Sequence, residues 1–219
     1  MKSFLVIGLG RFGRHLALKL MELKNEVMIV DINKDIIDEL APRFTDAQIG
    51  DCTNESVLRS LGVNNFDISF VTIGENFQAS LEITSLLKDL GAKHVVAKAG
   101  RDIHAKFLLR NGADEVIYPE REMAEKVAIR HSAKNVFDYI ELTHEFSVYE
   151  IAIPETWAAK SIGSVNVRKK YHINILAIKN GESLKPLPGA DYLFNEEDHI
   201  LVVGKAADVA GRRKVFALG

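Results

Sequence analysis

The chain has 219 residues, 47% of them apolar and 26% charged, with a net charge of −2. That length suits one large domain or a medium domain plus a small one, and the near-neutral balance excludes a global attraction to nucleic acid or anionic lipid. A single cysteine excludes an internal disulfide and suits a reducing compartment, and no apolar run approaches the ~18 residues of a membrane span, so any action at a membrane is expected to run through a partner.

The first strand, residues 4–7, runs into Gly8-Leu9-Gly10-Arg11-Phe12-Gly13 and a helix over 13–23. A glycine turn interrupts the opening apolar residues at once, so they are not read as a leader peptide. A second strand, 27–30, ends at Asp31, about twenty residues beyond the turn, the spacing of a Rossmann nucleotide-binding fingerprint. In that reading Gly8 permits the tight turn, Gly10 lets the backbone approach a phosphate, and Gly13 lets the helix pack closely on the strand. The helix N-terminus offers free N–H groups to phosphates, and Asp31 accepts from ribose hydroxyls and repels a 2′-phosphate. Arg11 either pairs with a phosphate or is a solvated arginine beside a turn. Asn33 is either a helix cap or a ligand contact.

Further strands are expected at 47–49, 68–72, 94–97 and 115–117, with helices at 34–41, 54–61, 76–90 and 102–111. Asn54 caps the third helix, and Gly91 and Gly112 close the helices before them. Strand and helix alternate, which predicts an α/β fold: a doubly wound parallel sheet with its site at the strand C-termini. At the end of the third strand, Asp51, Cys52 and Thr53 either surround an adenine or begin a helix cap. Cys52 has no neighbouring histidine and is not read as a nucleophile. Ile73 and Gly74 after the fourth strand, and Lys98 at the end of the fifth, stand as phosphate or ribose contacts or as ordinary loop residues. Glu120, opening a helix over 120–133, either complements the helix dipole or holds a divalent cation.

That helix carries Met123, Val127 and Ile129 toward an apolar face. Beyond it the pattern changes, with a boundary near 135–142, giving units 1–138 and 139–219. The second reads as a small α+β lobe: a strand at 146–153, one short helix over 161–171, a strand at 173–179, an Asn180-Gly181 hairpin turn, a strand at 199–203 and a helix over 206–216. The histidines lack metal spacing, and no Walker A lysine, hydrolase triad or basic helix-turn-helix is visible.

A dehydrogenase needs a general acid or base over its nicotinamide, and no residue of the small second unit stands out in that role. The balance favours a nucleotide sensor over the alternative, an NAD-dependent oxidoreductase of unknown substrate. The segments around Gly8–Gly13, Val30-Asp31-Ile32-Asn33, Gly50-Asp51-Cys52-Thr53 and Tyr118-Pro119-Glu120 resemble the RCK regulatory subunits of bacterial potassium-uptake systems, of the KtrA and TrkA type. The resemblance spans essentially the whole chain. It implies a non-enzymatic gating-ring subunit on the cytoplasmic face of the membrane, held there by a channel or transporter partner. The family assembles as dimers that build an octameric ring. ATP and ADP compete for the Rossmann site, which also admits NAD(H).

Carried over, the resemblance places Gly8, Gly10 and Gly13 along the phosphates and Asp31 at the ribose, with Phe12, Ile32 and Asn33 also in the expected binding site. Asp51, Cys52 and Lys98 fall around the adenosine, and Thr53, Ile73 and Gly74 complete the expected binding set. Arg11 reaches a terminal phosphate across the dimer, and Glu120 helps hold Mg2+ or Ca2+. In some relatives the C-terminal lobe binds cyclic di-AMP, and the matching positions are Ile162, Asn166, Arg168, Tyr171, His172 and Pro188. Gly163 and Lys169 depart from that pattern.

Overall fold

A computed structural model describes residues 1–132 and 136–209. The chain divides into two compact units, Met1–Arg121 and Glu122–Gly219, so the division falls inside the sixth helix, earlier than the sequence pattern suggested.

In the first unit, strands β1 (Ser3–Ile7), β2 (Glu26–Asp31), β3 (Asp46–Ile49), β4 (Ile68–Val71), β5 (Val95–Lys98) and β6 (Glu115–Ile117) form one sheet in the order β3-β2-β1-β4-β5-β6. Every pairing is parallel. The helices are α1 (Arg11–Glu22), α2 (Lys34–Leu40), α3 (Glu55–Leu61), α4 (Phe77–Asp89), α5 (Asp102–Arg110) and α6 (Pro119–Ser132). Side chains alternate across a strand. Phe4 and Val6 of β1 therefore join Ala17 of α1 and Ile37 and Leu40 of α2 on one face. Leu5 and Ile7 pack with Leu58, Ile83, Leu87 and Leu108 of α3, α4 and α5 on the other. Chain order reverses between β1 and β4, which opens the crevice where doubly wound sheets bind ligands.

Side-chain caps fix the helix starts. Asn33 accepts from Asp35 N–H at 2.9 Å, Asn54 from Ser56 N–H at 3.0 Å and Asn76 from Ala79 N–H at 3.0 Å. Gly91 at φ +82° follows α4 and Gly112 at φ +103° follows α5, as the sequence led us to expect. On α6, Met123 and Val127 are exposed.

In the second unit, β7 (Val136–Glu141), β8 (Phe146–Ala152), β9 (Asn174–Asn180), β10 (Ser183–Pro186) and β11 (His199–Lys205) form an antiparallel sheet in the order β10-β9-β11-β8-β7. Its core centres on Trp157, which meets Tyr171 at 5.2 Å and Phe194 at 5.6 Å between ring centroids. Strand β7 was not foreseen, because its residues lie in the segment read as a boundary. The single helix expected over 161–171 is instead two, α7 (Ile162–Val165) and α8 (Val167–Tyr171). Asn166 separates them at φ +56°, and its N–H closes α7 on the Ile162 carbonyl. Asparagine is among the few side chains that visit this left-handed region readily. The expected last helix is described at Ala206–Val209 only, and 210–216 lie outside the described residues.

Candidate functional site

The glycine turn after β1 is built by contacts that a strand-by-strand reading does not reveal. Gly8 sits at φ +92° and its N–H donates to the Val30 carbonyl at 2.9 Å. The buried Thr72 hydroxyl donates to the carbonyls of Ile7 and Gly8, bolting the turn to the end of β4. Asp31 braces it from the other side. Its Oδ2 accepts from Leu9 N–H at 2.5 Å and its Oδ1 from Asn33 N–H at 2.8 Å. A carboxylate has about four lone-pair directions, so Asp31 keeps acceptor capacity for a ligand hydroxyl.

Above this turn lies a cleft of about 1030 Å³ at the C-terminal ends of the strands, near the upper end of the range for ligand pockets. Gly8, Gly10, Arg11 and Phe12 line it from the turn, and Asp31 and Ile32 from the end of β2. Asp51, Cys52 and Thr53 enter from β3, Ile73 and Gly74 from β4, Lys98 from β5 and Glu120 from α6. Of the residues expected around the site only Gly13 and Asn33 do not line it. Gly13 lies beneath the turn, where an added Cβ would be 2.5 Å from Thr72 Oγ1. Asn33 is spent as the cap of α2.

The lining residues that were missed include Gln78, Ala79, Glu82 and Ile83 of α4, and Gly100. Gln78 and Glu82 are one turn apart on α4 and hydrogen-bonded at 2.7 Å. Their four-residue spacing on the helix that leaves the crevice was the available signal.

Two cations, Arg11 and Lys98, face five carboxylates, Asp31, Asp51, Glu75, Glu82 and Glu120. Lys98 Nζ lies 2.6 Å from Glu120 Oε1, with Lys98 only 14% exposed. The Lys98 hydrogen bond holds the Glu120 carboxyl below its usual range despite some desolvation, helped by the Arg11 charge. Burial, reinforced by Asp51 and Asp31, pushes the Cys52 thiol up to about 12. It is therefore a packing surface rather than a nucleophile at neutral pH. Among the described residues no three His, Cys, Asp or Glu side chains cluster so as to hold a metal alone. A cation at Glu120 would need further ligands from outside this set.

The six positions considered for a second ligand lie in the second unit. Asn166 separates α7 from α8, and Arg168 donates to Asn174 Oδ1 at 2.8 and 3.2 Å. Tyr171 meets Trp157 in a tilted ring contact, His172 ends α8 at φ +57°, and Ile162 packs on the core. Pro188 is half-buried. None of the six lines the cleft of the first unit.

Residues 4–119 match the TrkA-N domain and residues 148–217 the TrkA-C domain. The chain is 43% identical over 209 residues to Ktr system potassium uptake protein C of Bacillus subtilis (strain 168), covering 95% of each. It is 39% identical over 208 residues to Ktr system potassium uptake protein A of the same organism, covering 95% of this chain and 94% of that one. Among solved structures, the GsuK RCK domain matches 100% of this chain and 48% of its own, with a TM-score of 0.72 at 19% identity. This chain thus spans about half of that one, and the likeness speaks for the fold. GsuK channel bound to NAD matches with a TM-score of 0.70 at 19% identity, over 96% of this chain and 39% of that one. GsuK bound to ADP matches over 59% of this chain and 34% of that one, with a TM-score of 0.54 at 20% identity. The two domain matches in tandem and the near full-length identity to the Ktr proteins lead to one conclusion: the chain belongs to the Ktr/TrkA family of RCK regulatory subunits of potassium-uptake systems.

Proposed function

We propose that this chain senses adenine nucleotide in its first unit and, on the cytoplasmic side of the membrane, passes the result to a potassium channel or transporter. The observation that carries the reading is the cleft at the sheet's order reversal. It combines an open backbone at Gly10, a ribose acceptor at Asp31, and Arg11, Lys98 and Glu120 together. ATP and ADP are the switching pair. The third phosphate recruits Arg11 of a facing copy in a homodimer, and a divalent cation, Mg2+ or Ca2+, joins the phosphates to Glu120. ADP cannot make that bridge, so the two ligands favour different dimer geometries, which a ring of eight subunits transmits.

Moving a gate from 1:99 to 99:1 takes about 5.5 kcal/mol of differential binding. Charge-assisted contacts of roughly 1.5–3 kcal/mol each, repeated around a ring, suffice. NAD(H) is a second ligand for the same cleft, favoured by the NAD-bound GsuK structure and by Asp31. In the second unit, cyclic di-AMP is the ligand for the face bearing Arg168, whose present contact with Asn174 would be exchanged for phosphate.

Calorimetric titration with ATP, ADP and NADH, each with and without Mg2+ or Ca2+, tests the reading. ATP and ADP are expected to bind, the cation to tighten ATP alone, and Arg11→Ala to shift the ATP/ADP affinity ratio toward ADP. An unchanged ratio in Arg11→Ala overturns the switch. Binding of NADH alone, indifferent to cation, overturns the adenine-nucleotide assignment.

A further inference from the structure

His104 is buried, at 2% exposure, in the first turn of α5 and does not line the cleft. Both ring nitrogens are nevertheless engaged with segments that do. Nδ1 accepts from Gly100 N–H at 3.3 Å, and Nε2 lies 2.6 Å from Ser80 Oγ. Since Nδ1 accepts, the ring proton sits on Nε2 and donates to Ser80. The Ser80 hydroxyl is then free to donate to the Phe77 carbonyl at 3.2 Å. Burial, with the Arg101 charge, lowers the His104 pKa, which keeps the ring in the neutral form that this arrangement needs. Phe77 packs on the imidazole at 4.8 Å between centroids.

The ring therefore ties two walls of the cleft together. On one side is the start of α4, where the cap residue Asn76 and Ala79 of the first turn line the cleft. On the other is Gly100, two residues after Lys98. The Gly100 carbonyl accepts from Tyr118 Oη at 2.7 Å, two residues before Glu120. A Cβ added at Gly100 would stand 3.3 Å from the Gly74 carbonyl oxygen, and one added at Gly74 3.2 Å from Lys98 Nζ, so these segments run close together. Releasing Gly100 would thus loosen the support of both members of the Lys98–Glu120 pair.

We infer that His104 is a positioning residue for the cleft: by clamping Gly100 against the start of α4, it fixes the wall that presents Lys98 and Glu120 to a bound nucleotide. This rests on the nucleotide reading of the cleft. It assigns a role to a residue that touches no ligand.

Two substitutions separate the arms of the clamp. His104→Asn places an amide oxygen where Nδ1 accepts and keeps the Gly100 bond. His104→Gln places an amide nitrogen near Nε2 and keeps the Ser80 bond. The readouts are ADP affinity by calorimetry, Gly100 amide exchange by NMR, and thermal melting. The Gln variant is expected to bind ADP about 3- to 10-fold more weakly, the equivalent of one ordinary hydrogen bond, and to exchange Gly100 faster. The Asn variant is expected to stay within about twofold of wild type in both, although both variants melt earlier. If both variants keep wild-type affinity and Gly100 exchange while melting earlier, His104 is only a core residue and the inference fails. It fails too if both weaken binding equally. If wild type binds no nucleotide, the functional reading falls, while Gly100 exchange still decides the clamp. Should the Gln variant not fold, wild type alone decides: a Gly100 amide exchanging within about tenfold of an unstructured one refutes the clamp.

Discussion

Gly10 and Gly13 belong to one sequence signature, yet the structure separates their roles cleanly. An alanine at Gly13 would drive its Cβ into the Gly8 carbonyl oxygen and to within 2.5 Å of Thr72 Oγ1. Neither is the end of a flexible chain: one is backbone and the other is a short buried side chain. Helix α1 must lift from β1, or the Thr72 hydroxyl must give up its bonds to Ile7 and Gly8. Overpacking of this kind costs about 1–3 kcal/mol, and the lost hydrogen bonds about 1 kcal/mol each. Gly13→Ala should therefore destabilise the first unit by roughly 2–5 kcal/mol, a large share of a typical domain's 5–15 kcal/mol. Gly10 is the opposite case. Its backbone, at φ −62° and ψ −177°, suits any L-residue, and nothing lies within 4 Å of an added Cβ. Gly10→Ala should leave stability unchanged or raise it by about 0.4–1 kcal/mol through the unfolded chain. Its methyl group would nonetheless stand where the phosphates approach, and nucleotide affinity should fall at least about tenfold. Urea unfolding and calorimetry on both variants read the two effects apart. A Gly13→Ala protein that unfolds with wild type, or a Gly10→Ala protein that binds nucleotide with wild type, refutes the reasoning.

In the second unit, Glu150 accepts from Lys179 Nζ at 2.8 Å and is bonded to His199 Nδ1 at 2.9 Å. Burial opposes its charge, but these partners prevail and hold its carboxyl below the usual value of 4.5. Its contribution is complete above that value and drains away as pH falls through the lower folded pKa. Glu150→Gln should cost about 1–3 kcal/mol at pH 7 and flatten the acid limb of the stability profile; an unaltered limb in acid unfolding counts against the pairing. Cys52, with its thiol pushed up to about 12, should carry on the order of one thiolate in ten thousand at pH 8. Iodoacetamide should label it far more slowly in native than in urea-unfolded protein, and rapid native labelling would show that the site is open.

The strands and helices of the first unit were legible because each carries its own signal: an apolar run, an asparagine cap, a closing glycine. The cleft followed from the glycine turn and Asp31, since order reversal in such a sheet leaves one place for a ligand. What stayed hidden depends on contacts between distant segments. Thr72 reads as the end of a strand, and nothing local says that its hydroxyl anchors a turn 64 residues earlier. Gly100 and His104 look like a loop and a helix until folding brings Ser80 and Tyr118 to them. In the second unit, the break at Asn166 was concealed because asparagine is tolerated in helices as well as in the left-handed conformation that ends them. Strand β7 was obscured by its place between two units, although its aromatic and β-branched residues favoured a strand.

Trp157 is the chain's one tryptophan, and it is buried among aromatic rings of the second unit, while the nucleotide cleft lies wholly in the first. Nature has thus placed a fluorophore in the lobe that does not hold the cleft. The ring is 3% exposed within its own lobe, which shields it from contact quenching by a dissolved ligand. Any change in tryptophan emission on adding ADP or ATP at that cleft would report a signal that has crossed from one unit to the other. The unmodified protein therefore carries its own optical gauge of communication between sensing and response.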